Sequence, residues 1–319
     1  MRRGAGVTPK SVLAAPVIDL AGVATRLWAA DLARAEAVAA MLRAAPPASG
    51  PPSAELRFEH GVAAPDDWSD DDPFEVRREG TDLVYVRSAL GLVARVTPNR
   101  IVVVGDAPDL RAAFRPVFAL AVAHLLAARE RHVLHAATLA VEDGCVLVLG
   151  PTGAGKSTAA VCALRAGWPV LGDDLVALES LGDRIVATAV PRPIVAPRDV
   201  VDDPRAVPVS GDGRQRLELG PDVITPGRSP VLGLIVSAHG DAPASTVREV
   251  RHSAIPPLVL TSCLLADSAD SRRSLFPLAM ALSRLPTVEL AHGTRSATRV
   301  EDGAALLEEI RRLLGNGSL

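Results

Sequence analysis

The run Gly150-Pro151-Thr152-Gly153-Ala154-Gly155-Lys156-Ser157 limits what this chain can fold into more than any other stretch. It fits G-x-x-x-x-G-K-[ST], a loop that cradles phosphate only when it leaves a strand and enters a helix. Both flanks satisfy that condition. Cys145–Leu149 is apolar, β-branched and too short for a helix, so it reads as a buried strand. Residues 157–166 read as a helix stopped by Gly167 and Pro169. Glycine at 150, 153 and 155 opens backbone conformations closed to residues with a Cβ, which turns successive N–H groups inward as an anion nest. The helix that follows adds its positive dipole end. Lys156 is placed to reach β- and γ-phosphates, Ser157 to ligate Mg²⁺, and Thr158 closes the expected nucleotide-binding set that begins at Gly150. Of 34 basic residues only Lys10 and Lys156 are lysine, so arginine is the default cation and Lys156 is an exception. An ammonium and a guanidinium are not interchangeable at such a site.

The rest of the composition narrows the class. A chain of 319 residues, 48% hydrophobic, holds one large domain or two smaller ones. A net charge of −3, a pI near 6.2 and only 3% aromatic residues argue against a nucleic-acid partner. Cys145, Cys162 and Cys263 are scattered, with no C-x-x-C or His/Cys cluster, which favours a reducing cytoplasmic setting. No signal-peptide pattern and no charge-free apolar run long enough to span a membrane is expected.

Read in order, residues 1–30 give no clear signal. A helix is expected over 31–44, stopped by the proline-rich segment 45–52, and a short strand over 55–60. The acidic run 66–72 reads as a solvated loop. Strands are expected over 82–87, 92–96 and 100–104, the last two joined by a turn at Thr97-Pro98-Asn99-Arg100. A long helix capped by Asp106 follows, apolar nearly all round and therefore buried. This organisation predicts an N-terminal α+β domain over 1–106 and a second domain over 107–319. Beyond the central stretch, strands are expected over 184–190, 231–237 and 286–290, with a largely helical stretch over 253–285 interrupted at 267–273 and a helix over 303–314.

Two further features lie beside the loop in sequence. Asp173 and Asp174 close a short strand, and one helix plus one strand after Lys156 returns the chain toward the glycine turn. A carboxylate there can hold Mg²⁺, and a neighbouring one can take the proton of an attacking hydroxyl. His135 lies on the apolar approach, where a histidine is more often a core residue than a reactive one.

Together, His135-Ala136-Ala137-Thr138, the loop 150–157 and Gly172-Asp173-Asp174 resemble the catalytic domain of HPr kinase/phosphorylase and the related phosphoenolpyruvate carboxykinase-like P-loop kinases, in order and in spacing. The chain is also similar to smaller bacterial members that modify lasso-peptide precursors. The resemblance implies an α/β (α+β) fold: a P-loop domain with a mixed, largely antiparallel sheet, plus the small N-terminal α+β domain. It implies ATP and Mg²⁺ as cofactors and a peptide or protein Ser/Thr hydroxyl as acceptor. Asp173 would be the base, Ser157 and Asp174 the metal ligands, and His135 a supporting group. The arginine beside the transferred phosphate falls among Arg192, Arg214 and Arg216, with Arg192 and Arg214 in the expected catalytic set beside Lys156. Family members form oligomers, so a homo-oligomer is allowed. Where HPr kinases carry a glycine-rich signature with an acidic residue, this chain has prolines and arginines over 191–199, which argues against HPr as substrate and against the phosphorylase reaction. Two other readings compete. A shikimate- or gluconate-type kinase needs a fully parallel sheet around Cys145–Leu149. A nucleotide-binding regulatory protein needs the loop but no phosphoryl transfer.

Overall fold

The computed structural model describes residues 13–42, 45–60, 74–79, 83–88, 91–190, 192–201, 203–204, 206–208, 216–219, 224, 227–265, 269–294 and 307–312. The acidic run 66–72 and Arg214 lie outside them, and of Arg216 only the backbone is described. The chain divides into two compact units. Among the described residues, the first takes the chain to Asp19, Val23–Met41 and Pro47–Leu125; the second takes Leu20–Gly22, Leu42–Pro46 and everything from Leu126 on.

The first unit is built on a seven-stranded sheet. Its strands are β1 (Leu13–Asp19), β2 (Ala24–Ala29), β3 (Ala54–Glu59), β4 (Phe74–Glu79), β5 (Leu83–Ser88), β6 (Val93–Thr97) and β7 (Arg100–Val104), in spatial order β1-β2-β3-β7-β6-β5-β4. The pairs β2–β3 and β3–β7 are parallel; the others are antiparallel. Helix α1 (Leu32–Met41) joins β2 to β3, as a parallel crossover requires, and Asp31 caps it by accepting the Arg34 N–H at 2.9 Å. Helix α2 (Leu110–Ala127) lays Phe114 edge-on against Phe58 of β3, with ring centroids 4.7 Å apart. That contact explains why most of α2 groups with the first unit, whereas the sequence places the boundary ahead of it at 106.

The second unit carries the loop. Its elements are β8 (His132–Leu134), β9 (Ala137–Val141), β10 (Gly144–Leu149), α3 (Lys156–Arg165), β11 (Val170–Gly172), β12 (Val176–Leu181), β13 (Arg184–Ala189), β14 (Ile194–Pro197), β15 (Val207–Pro208), β16 (Arg216–Leu219), β17 (Arg228–His239), β18 (Thr246–Glu249), α4 (Ile255–Ser262), α5 (Ala269–Leu282) and β19 (Thr287–His292). Nine strands form one mixed sheet in the order β11-β9-β10-β17-β13-β12-β8, with β19 also pairing β17 and β18 pairing β19. Among the described strands of this sheet, β10–β17 and β17–β19 pair in parallel and the others antiparallel. Strand β10 has a parallel neighbour on one side and antiparallel β9 on the other. The strands β14, β16 and β15 make a separate small sheet.

Both faces of β10 are buried, which is why Cys145–Leu149 is an unbroken apolar run rather than an alternating one. Val146 and Val148 face one core with α3, whose Ala159, Ala160 and Ala163 allow close approach. Cys145, Leu147 and Leu149 face the other with Val259 of α4 and Leu275, Leu278 and Leu282 of α5. A mixed sheet thus lies between helices, and the turn into α3 leaves the C-terminal end of the interior strand β10. Among the described residues, no helix is long and apolar enough to cross a membrane.

Candidate active site

The loop has the backbone its glycines predict: φ is 153° at Gly150, 85° at Gly153 and 101° at Gly155. Gly155 occupies the N-cap position of α3, so the helix begins where the turn ends. Lys156, 6% exposed, sends its ammonium back over the turn and donates to the carbonyls of Gly150 at 2.9 Å and Pro151 at 3.1 Å. Burial lowers its pKa from the ordinary lysine value, while Asp173 and Asp174 pull the other way.

The two aspartates stand at the end of β11 in a tight turn. Leu175 N–H donates to the Asp173 carbonyl at 3.0 Å across Asp174, whose φ is 75°. A non-glycine residue in that conformation is strained, and such strain concentrates at functional sites. Here the adjacent carboxylates meet different neighbours. Asp173 is 2% exposed and accepts a hydrogen bond from the Ser157 hydroxyl, Oγ to Oδ2, at 2.8 Å. Its other oxygen, Oδ1, is buried without a hydrogen-bond partner. Burial first, and the negative charge of Asp174 second, push the Asp173 carboxyl up to about 6; the Ser157 hydroxyl and the Asp174 backbone partly offset them. Asp174 is a third exposed, faces His135 Nε2 at 2.8 Å through Oδ1, and pairs through Oδ2 with the Arg192 guanidinium.

These partners are positioned by ordinary folding devices. His135 sits in the two-residue gap between β8 and β9, its N–H donating to the Ser262 carbonyl at 2.8 Å. Arg192 precedes β14, whose Ile194 and Ala196 join the core under α3, and it is 5% exposed. Thus His135, Lys156, Ser157, Asp173, Asp174 and Arg192 meet at one place. The resemblance pairs Ser157 with Asp174; the structure instead pairs Ser157 with Asp173. Two residues that sequence reasoning did not single out, Ser237 and His292, lie against the loop, Ser237 Oγ donating to the Ala154 carbonyl at 2.8 Å. Nothing local in the sequence marks them, because they reach the loop through the pairing of β17 with β10 and β19.

The oxygens present suit a hard divalent cation. Among the described residues no group of three or more His, Cys, Asp and Glu side chains could enclose a metal. Mg²⁺, however, characteristically takes one or two protein oxygens and completes its shell with water and phosphate. The Ser157 hydroxyl and the orphaned Asp173 Oδ1 fit that requirement.

No protein-family model matches the chain, and no curated protein matches it. Among solved structures, the HPr(Ser) kinase/phosphatase from Coxiella burnetii aligns with 56% of this chain and 97% of its own, at 12% identity and a TM-score of 0.27.

Proposed function

We propose that this chain is an ATP-dependent kinase that transfers the γ-phosphoryl group to a Ser or Thr hydroxyl of a peptide or protein. One observation carries the reading: the phosphate-loop serine is hydrogen-bonded to a buried acid whose neighbour, a partly exposed acid, faces a histidine and an arginine. Phosphoryl transfer needs a phosphate cradle, charge neutralisation and a group that orients the nucleophile. The inward amides of 150–157 and Lys156 would hold the β- and γ-phosphates. Ser157 and Asp173 would hold Mg²⁺, which supplies charge neutralisation on the phosphate oxygens when bound. Asp174 can touch an incoming hydroxyl because it is the more exposed acid, and His135 orients it. In this division of labour Asp174 accepts the hydroxyl proton as the oxygen attacks the γ-phosphorus and the bond to the β-phosphate oxygen breaks, releasing ADP. Arg192, ion-paired with Asp174, would stabilise the transferring group. The antiparallel β9 beside β10 disfavours the shikimate-type alternative, which needs parallel strands on both sides.

Incubation with ATP, Mg²⁺ and Ser/Thr peptides, scored by mass gain of one phosphate, is the direct test. Asp174→Asn is expected to cut turnover about 10²–10⁴-fold with nucleotide binding nearly intact. Asp173→Asn is expected to raise the Mg²⁺ requirement first. If only Asp173→Asn abolished turnover at saturating Mg²⁺, the proton-accepting role would return to Asp173. Tight ATP binding with no transfer to any hydroxyl would support a regulatory nucleotide-binding protein instead.

A further inference from the structure

We infer that Ser237 and His292 are positioning residues for the loop: a buried hydroxyl–imidazole pair that holds the glycine turn in its phosphate-receiving shape. The inference rests on reading residues 150–157 as a triphosphate site. Ser237 lies near the end of β17 and is fully buried; His292 is the last residue of β19 and is 4% exposed. Ser237 Oγ donates to the Ala154 carbonyl at 2.8 Å and lies 3.0 Å from His292 Nε2. A hydroxyl has one proton and a carbonyl can only accept, so the serine proton is committed to Ala154. The Ser237 oxygen must then accept from His292, which fixes the imidazole with its proton on Nε2.

The direction of that relay has a consequence for the loop. The peptide unit joining Ala154 to Gly155 is planar and trans, so its C=O and N–H point opposite ways. Tying the Ala154 carbonyl to Ser237 turns the Gly155 N–H away from Ser237, as a nest of inward amides requires. The same two residues touch the loop at two other points. A Cβ on Gly155 would fall 2.5 Å from His292 Cδ2 and 2.6 Å from Nε2, so the ring lies flush against the turn. A Cβ on Gly150 would fall 2.4 Å from the Ser237 carbonyl oxygen. Both ends of the turn therefore lean on the ends of β17 and β19, and glycine at 150 and 155 is demanded by that support as well as by φ.

A pair that merely fills space would tolerate a ring without a donor. Isothermal titration with the magnesium complex of a non-hydrolysable ATP analogue separates the two roles. His292→Phe, which keeps the ring and loses the donor, and Ser237→Ala are each expected to weaken binding about tenfold, the scale of one lost buried hydrogen bond. His292→Gln, which returns an N–H near the Nε2 position, is expected to stay within about threefold of the wild type, and the double variant to lose little more than either single one. Thermal denaturation shows which variants are folded, and Ser237→Ala remains informative if a His292 variant is not. Wild-type affinity in both His292→Phe and Ser237→Ala, or His292→Gln as weak as His292→Phe, would overturn the positioning role. Lys156→Ala serves as the control. Binding that survives it would place the nucleotide elsewhere and remove the triphosphate reading itself, a result distinct from normal Lys156 dependence with His292→Phe unaffected.

Discussion

The Asp173 carboxyl is pushed up to about 6, and the direction has two measurable consequences. Its ordinary value is 3.8, so between these two pH values the folded chain holds a proton that the unfolded chain does not. The stability contributed by that proton is fully present below 3.8 and is lost as pH rises through about 6. Asp173→Asn is therefore expected to flatten this part of the pH dependence of unfolding, followed by amide exchange in β11. A cation on Oδ1 competes with the same proton, so Mg²⁺ affinity in the presence of ADP is expected to fall as pH drops below about 6. Titration calorimetry at two pH values checks it; affinity unchanged between pH 7 and 5 would detach the metal from Asp173. Lys156 gives a second prediction at this scale. Its ammonium donates to two loop carbonyls at 2.9 and 3.1 Å, the geometry of a compact cation with rotatable donors. Lys156→Arg keeps the charge, yet nucleotide binding is expected to weaken at least about tenfold because the two cations present different donor geometry.

Single elements show where the sequence is legible and where it is not. The strand–loop–helix from β10 to α3 stands as expected because its signal is local: a two-face apolar strand, obligatory glycines and a helix stop at Gly167. The hairpin of β6 and β7 is legible for the same reason, its turn at 97–100 closing Thr97 onto Arg100. Strands β1 and β2 fall in the stretch that gives no signal. In β2 the half-turned positions are Ala24, Arg26 and Trp28 rather than a clean polar row, and buried Thr25 satisfies its hydroxyl on the Val23 carbonyl at 2.9 Å. Strand β4 is charged at most positions and is not among the strands expected from the sequence. The separation of Asp173 from Asp174 was equally hidden, since it depends on the left-handed turn at 174 and on Arg192 arriving from the next sheet. Helix α2 was legible as a buried helix, and it carries its own prediction. Burial first, and the positive charge of Arg78 second, lower His124 from 6.5 to about 4, and its Nε2 has no hydrogen-bond partner. The unfolded chain then binds a proton that the folded one refuses. Stability of the first unit is expected to fall as pH drops from 6.5 toward 4, by up to roughly 3 kcal/mol. His124→Leu should remove that loss in acid denaturation monitored in β3 and β7.

At the scale of the whole molecule, the proposed nucleotide site belongs to one of the two units. The first is organised by Phe58, Phe114 and Phe118 over its own sheet. The second has two cores, one on each face of the nine-stranded sheet, and every residue of the candidate site belongs to it. A ligand that binds only the folded state stabilises what it touches by mass action, about 2.7 kcal/mol at a hundred times its dissociation constant. A nucleotide held by the loop would be linked to β10 and α3 by the chain itself, to β17 and β19 by the Ser237–His292 pair, and to β11 by Asp173. Saturating MgADP is therefore expected to slow amide exchange in β10, β11, β17, β19 and the first turns of α3 by up to about a hundredfold. Amides of β3, β7 and the first half of α2 should exchange at the same rate with and without it. Hydrogen exchange resolved by peptide would read both sets in one experiment. Protection spread evenly over both units would mean that they unfold together. Protection absent from α3 would mean that the nucleotide does not use the turn at all.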